Sequence, residues 1–228
     1  MSSGISTSLD ANGIKKFLIM PPLVKFCGLT TPDAVDAAIR LGATHIGLVH
    51  CEPSQRHVDL STAAALRQRA GSAVKVALLL VNAQPQLTGQ AVAAVKPDIV
   101  QFHGNETPEW IAAVKQHLPI EAWKAVGLKD AGTLERMQKY RGIADRILFD
   151  APAQALPGGT GTRFDWSLLK NHRHTMDWGI AGGLDPDNVA AAIAATGAPL
   201  VDVSTGIERA PGVKDMDKMA AFLKAAGR

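Results

Sequence analysis

Two ionisable side chains each follow a short apolar run, at a point where a buried strand is expected to end. Cys27 comes after residues 23–26, and Asp150 comes after residues 146–149. A cysteine in such a position can form an accessible thiolate, which acts as a base or nucleophile near neutral pH. An aspartate is costly to bury unpaired, so Asp150 is expected to face an open cleft. The alternatives are a small core residue for Cys27 and a helix or loop cap for Asp150.

Small residues follow two further apolar runs near the end of the chain. Two glycines follow residues 178–181, and a Ser-Thr-Gly triplet follows residues 200–203. Because glycine lacks a Cβ, backbone N–H groups beside it can approach a ligand closely. Two neighbouring parallel strands that end in this way form a cup for a phosphate group. The pattern predicts a phosphorylated small-molecule ligand held by Gly182, Gly183, Ser204, Thr205 and Gly206.

Other polar side chains lie on or just after the same predicted strands. Arg56 is either a solvated surface charge or, above an anion-binding mouth, a bidentate clamp for a carboxylate. Asp202 lies on the last predicted strand. Lys25 shares a strand face with Cys27, which indicates an ion pair low in the fold.

Histidines and cysteines at these strand ends also suggest a metal site. His50, Cys51 and His103, together with Cys27, match no compact zinc-ligand spacing, so a metal is not predicted. His103 is instead expected to form hydrogen bonds that support the structure or the reactive groups.

A repeating pattern of elements must position these groups. Apolar or β-branched runs, each nearly continuous as in buried parallel strands, alternate with Ala- and Leu-rich helical stretches. The predicted strands are residues 23–27, 45–50, 75–81, 98–103, 121–126, 146–150, 177–181 and 200–204.

Capping residues mark several helix ends. Thr31, Thr107 and Asp185 each precede a proline, which predicts a helix start at all three places. Gly42 is expected to end the first helix, and residues 215–226 are expected to form the last one.

Eight strand–helix units predict an α/β fold, a (β/α)8 TIM barrel, as a single domain over residues 23–228. Residues 1–22 are expected to be a flexible N-terminal extension, and residues 151–164 a mobile loop. An open doubly wound sheet is the alternative fold, but no G-x-G-x-x-G follows the first strand.

Composition narrows the class of protein. The 228 residues carry a net charge of +3 without a basic stripe, which argues against a nucleic-acid partner. No stretch is long and apolar enough to span a membrane. Two cysteines and no secretory signal predict a cytoplasmic protein.

Several motifs, in order along the chain, are similar to those of one enzyme family. The chain resembles the phosphoribosylanthranilate isomerases of tryptophan biosynthesis. The matching segments are residues 24–30, 54–58, 100–104, 149–151, 158–161, 164–166, 181–184, 202–206 and 211–215. A related histidine-pathway isomerase would have aspartate in place of Cys27, and indole-glycerol-phosphate synthase would have a catalytic lysine there.

The resemblance implies an Amadori rearrangement of N-(5-phosphoribosyl)anthranilate to 1-(2-carboxyphenylamino)-1-deoxyribulose 5-phosphate. It implies that Asp150 is the general acid, that Cys27 is the general base, and that Arg56 binds the anthranilate carboxylate. Asp202 would lie near the ribose, and the two glycine-rich loops would bind the phosphate.

The resemblance also bears on cofactors and assembly. No metal or organic cofactor is expected, because the iminium intermediate is its own electron sink. The assembly is expected to be a monomer or a homodimer. An inactive phosphate-binding barrel or an interaction protein is the alternative, and the presence of both Cys27 and Asp150 argues against it.

Overall fold

The computed structural model of the chain describes residues 5–9, 15–19, 21–152 and 164–228. Near the N-terminus, β1 (Ile5–Leu9) pairs with β2 (Lys15–Ile19) in an antiparallel two-stranded sheet. The sequence pattern predicted only an extension here and did not indicate this hairpin; the flexibility of residues 1–22 stays a prediction. Most of the expected loop at 151–164 lies outside the described residues.

Eight parallel strands close into a barrel, as the sequence predicted. Each runs to within one residue of its expected ends, and β10 pairs with both β3 and β9 to complete the circle. The fold is therefore the (β/α)8 TIM barrel. The strands are β3 (Leu23–Cys27), β4 (His45–Val49), β5 (Lys75–Leu80), β6 (Ile99–Phe102), β7 (Glu121–Gly127), β8 (Arg146–Asp150), β9 (Asp177–Ile180) and β10 (Leu200–Val203).

Helices follow the barrel strands on the outside. After β8 the described residues contain a short 3-10 helix, Trp166–Leu169, where the repeat predicted an α-helix. A small hairpin of β11 (Glu208–Ala210) and β12 (Val213–Lys214) precedes the last helix. The helices are α1 (Pro32–Leu41), α2 (Leu60–Ala70), α3 (Pro85–Val95), α4 (Pro108–His117), α5 (Ala131–Met137), α6 (Val189–Thr196) and α7 (Met216–Ala225).

Two of the three predicted helix starts are confirmed. The side chains of Thr31 and Thr107 accept hydrogen bonds from backbone N–H groups in the first turns of α1 and α4. The start predicted at Asp185 is wrong, since α6 begins at Val189. The Asp185 carboxylate accepts the backbone N–H groups of the next turn instead, including that of Asn188 at 2.9 Å, and so delays the helix.

Because side chains alternate along each strand, they form two core layers, one inside the barrel and one between the barrel and the helices. On β3, Phe26 points outward and packs edge-on against Phe222 of α7. Lys25 and Cys27 alternate with it and therefore face the interior of the barrel. The interior layer is filled mainly by Ala77, Ile99, Trp123, Ala125, Leu148, Ala181 and Leu200.

Candidate active site

Cys27 lies at the carboxyl end of β3 and is 6% exposed. Gly47 of β4 is its direct neighbour in register. A Cβ on Gly47 would lie 2.8 Å from the Cys27 Sγ and 3.0 Å from the Lys25 Nζ. The absence of a side chain on Gly47 therefore makes room for the thiol and the ammonium group together.

The ion pair expected for Lys25 is confirmed, and its partner is Asp202. The Lys25 Nζ donates to the Asp202 Oδ2 at 2.9 Å, and both side chains are buried. Burial lowers the pKa of Lys25, but Asp202 and Cys27 raise it by more than burial lowers it, so the net shift is upward. The Asp202 Oδ1 is buried and accepts no hydrogen bond from any described residue. This oxygen is available to a ligand hydroxyl.

The Cys27 thiol experiences opposing influences. Burial raises its pKa, the positive charges of Lys25 and Lys214 lower it, and Asp202 raises it again. On balance, the pKa of the Cys27 thiol is raised above that of an ordinary cysteine. The two lysines thus offset part of the cost of forming a buried thiolate.

Asp150 lies at the carboxyl end of β8 and contacts two hydrogen-bond donors. Its Oδ1 accepts the Ala151 N–H at 2.7 Å, and its Oδ2 lies 3.2 Å from the Nε2 of His103. The other ring nitrogen of His103 lies 3.3 Å from the Gln101 Nε2. His103 is therefore a direct partner of Asp150, consistent with the supporting role expected from its position after β6.

The glycine-rich ends of β9 and β10 meet as predicted. Gly182 has a φ of +79°, and a Cβ there would overlap the Ala151 nitrogen and lie 2.5 Å from the Asp150 Oδ1. A Cβ on Gly206 would overlap the carbonyl oxygen of Leu184 in the neighbouring loop. Both loops approach too closely for a larger residue, which explains the glycines.

Open backbone N–H groups line these two loops. Ser204 precedes a 3-10 helix, Thr205–Ile207, and supplies no side-chain cap to it. Within the described part of the chain, five backbone N–H groups at this face donate no hydrogen bond. They belong to Gly182, Gly183, Ser204, Thr205 and Gly206, the residues predicted to form the phosphate cup.

Arg56 does not lie free above the barrel mouth. Its Nε and Nη2 donate to the two carboxylate oxygens of Glu208, each at 2.7 Å. Lys214 donates to the same carboxylate at 2.8 Å and to the Ser204 carbonyl at 3.0 Å. Sequence reasoning missed Glu208 and Lys214. They lie on the β11–β12 hairpin, inside or beside motifs that marked the family but suggested no role.

Among the described residues, no group of three or more His, Cys, Asp or Glu side chains is arranged to hold a metal ion. None of the helices in the described ranges is long and apolar enough to cross a membrane.

A closed barrel with ionisable side chains and open N–H groups gathered at its carboxyl-terminal face defines an enzyme of the (β/α)8 class. Comparison with known proteins makes this specific. The family model "N-(5'phosphoribosyl)anthranilate (PRA) isomerase" matches residues 24–225. The chain belongs to this family, and its activity is that of a tryptophan-pathway isomerase.

Relatives and solved structures agree with the family model. An N-(5'-phosphoribosyl)anthranilate isomerase from Erythrobacter litoralis is 55% identical over 204 residues, covering 90% of this chain and 98% of that protein. The phosphoribosyl anthranilate isomerase structure from Thermotoga maritima superposes with a TM-score of 0.83 at 31% identity, covering 90% and 98% of the two chains. A further isomerase structure, in complex with reduced 1-(o-carboxyphenylamino)-1-deoxyribulose 5-phosphate, has a TM-score of 0.80 at 30% identity, with the same coverage.

Proposed function

We propose that Asp150 is the general acid and Cys27 the general base in the isomerisation of N-(5-phosphoribosyl)anthranilate. The observation that carries this assignment is their placement at the carboxyl ends of β8 and β3, with β9 and β10 between them in the barrel. Asp202 lies on β10, one of the two strands between those that carry the acid and the base. Its carboxylate binds Lys25 and interacts electrostatically with Asp150.

The rearrangement proceeds in three steps. Asp150 protonates the furanose ring oxygen, the bond from that oxygen to C1 breaks, and the nitrogen lone pair forms an iminium with C1. The Cys27 thiolate then removes the proton from C2, and the C–H electron pair forms a C1–C2 double bond while neutralising the iminium. The enolamine tautomerises to the ketone as C1 gains a proton and the C2 hydroxyl loses one. One group must start protonated and the other deprotonated, which suits an acid and a thiolate in different surroundings.

Three features would hold the substrate between these groups. The open N–H groups of the β9 and β10 loops would bind the phosphate. The unpaired Asp202 Oδ1 would accept a hydrogen bond from a ribose hydroxyl. The Nη1 group of Arg56 donates to no described residue and would bind the anthranilate carboxylate together with the second Nη2 proton.

A direct assay tests the proposed function. Freshly prepared phosphoribosylanthranilate should be consumed by the purified protein, as followed by fluorescence. Absence of turnover by correctly folded protein would contradict it.

Cellular location and assembly stay predictions from the sequence. The chain is expected to work in the cytoplasm, as a monomer or homodimer on a phosphorylated small molecule. One Thermotoga maritima relative is described as a dimeric isomerase from which monomers were generated, which supports the dimeric alternative.

The pH dependence of Cys27 reactivity follows from its burial. Because the pKa of the thiol is raised, the thiolate fraction grows with pH and is small at neutral pH. We expect iodoacetamide to alkylate Cys27 with a rate that rises with pH to a midpoint above the ordinary cysteine value of about 8.5. The measurement uses a Cys51→Ser background, so that only one thiol reacts. A midpoint below the ordinary value would show that the lysines outweigh burial.

Arg56→Ala should weaken substrate binding much more than phosphate binding. A guanidinium holds a carboxylate through two parallel hydrogen bonds, and loss of such a pair should raise KM by about tenfold or more. Affinity for inorganic phosphate, which needs only the two glycine-rich loops, should change little. Calorimetric titration with phosphate and with a carboxylate-bearing product analogue checks this. Equal weakening of both would mean that Arg56 supports the loop and does not contact the anthranilate.

A further inference from the structure

Glu208 is a buried carboxylate that the isomerisation chemistry leaves without a role. Its side chain is 4% exposed and lies between the Arg56 guanidinium and the Lys214 ammonium. Burial raises the pKa of Glu208, but the hydrogen bonds from Arg56 and Lys214 outweigh it, and the net shift is downward. Glu208 is therefore a fixed anion inside a site that must bind an anionic substrate.

We propose that Glu208 is a positioning residue that aims the free edge of the Arg56 guanidinium at the substrate carboxylate. The inference rests on the proposed function, which assigns that carboxylate to Arg56. A guanidinium has two edges that can each hold a carboxylate in a bidentate manner. Glu208 occupies the Nε–Nη2 edge, so only the Nη1–Nη2 edge remains for a ligand.

Arg56 is held along its whole length. Gly28 has a φ of +73°, and a Cβ there would lie 2.8 Å from the Arg56 Cδ, so the aliphatic stem crosses directly over this glycine. Glu208 fixes the head through two hydrogen bonds of 2.7 Å. A preorganised guanidinium loses little side-chain entropy when the substrate binds.

Glu208 is itself anchored, which argues against its moving aside. Lys214 binds its carboxylate at 2.8 Å, and Lys218 of α7 donates to its backbone carbonyl at 2.8 Å. Glu208 also pairs with Lys214 in the β11–β12 ladder. If Glu208 merely stood in for the substrate carboxylate, substrate binding would push it away from Arg56. Glu208 would then either leave the buried Lys214 ammonium unpaired or remain as a buried anion that had lost two hydrogen bonds, and both are costly.

The direction in which one substitution changes the affinity for the substrate carboxylate separates these two roles. Glu208→Gln keeps the size of the side chain but removes the charge and one of its two acceptor oxygens. If Glu208 positions Arg56, this variant should bind a carboxylate-bearing product analogue about tenfold more weakly, from loss of a charge-assisted bidentate contact. Affinity for the matching anilino analogue without the carboxylate should stay within about twofold. KM for the substrate should rise while kcat changes much less.

Two further variants serve as controls, one for the charge at position 208 and one for the loss of a carboxylate elsewhere. Glu208→Asp keeps the buried cations neutralised and should recover part of the lost affinity. Asp36→Asn removes an equal charge from an exposed pair with Arg69, remote from the site, and should change neither affinity. Phosphate binding by each variant reports that the two glycine-rich loops are intact.

The experiment is calorimetric titration of wild type and variants with the two analogues and with phosphate. Selective weakening of the carboxylate-bearing analogue in Glu208→Gln is the expected result. Tighter binding of that analogue would mean that Glu208 competes with the substrate, and equal weakening of all ligands would mean that it only supports the hairpin; either overturns the proposal. If wild type itself does not distinguish the analogues, the role proposed for Arg56 fails first.

Discussion

Cys27→Ser should lower kcat by about 10²–10⁴-fold, the range that a positioned general base contributes, while the fold stays intact. A hydroxyl of nearly the same size fits the space left by Gly47 but is a far weaker base than a thiolate. The lysines that partly stabilise the Cys27 thiolate cannot ionise a serine at neutral pH. Steady-state kinetics with fresh substrate, alongside thermal unfolding, measures the effect.

The second cysteine provides the matched control. Cys51→Ser should be nearly silent in the same assay, because Cys51 lies beyond the end of β4, and neither Lys25 nor Lys214 contributes to the shift in the pKa of its thiol. Alkylation of the wild type should abolish activity, and a bound product analogue should protect it. Turnover near the wild-type rate in Cys27→Ser would remove Cys27 from the reaction.

The barrel could be predicted from the sequence because its signals are local. Each strand is a short apolar run, and many helices begin at a threonine or aspartate that caps its own turn. The one wrong helix start, at Asp185, shows the limit of this reasoning. A capping residue before a proline predicts a helix start. Here the Asp185 carboxylate accepts the Asn188 N–H and the Asn188 side chain donates to the Gly183 carbonyl, so a turn forms first and the helix begins only at Val189.

The contacts of the site were less predictable, because they join residues far apart in the chain. Cys27, Asp150 and the glycines could be identified from where strands end. The Arg56–Glu208 pair spans 152 residues, and the Lys25–Asp202 pair spans 177. No pattern of spacing reveals such pairs, although a charged residue on a barrel-facing strand position, as with Lys25, does indicate that a partner must exist. The N-terminal hairpin was missed because residues 1–13 are mostly small and polar, a composition that indicated a flexible extension.

Asp150→Asn should lower kcat by a similar factor of about 10²–10⁴ while changing KM far less, because the amide keeps the shape but cannot deliver a proton to the ring oxygen. The asparagine side chain of this variant would still accept the Ala151 N–H through its oxygen, so the loop beside Gly182 should keep its geometry.

His103 lies 3.2 Å from the Asp150 carboxylate, and its replacement provides a comparison of smaller expected effect. His103→Asn should slow the reaction less than Asp150→Asn, since it removes a partner of the acid and leaves the acid itself. Single-turnover kinetics with fresh substrate separates ring opening from binding in both variants. If Asp150→Asn turns over like the wild type, the proton comes from elsewhere, and Asp202, which shares the barrel mouth, becomes the first group to test.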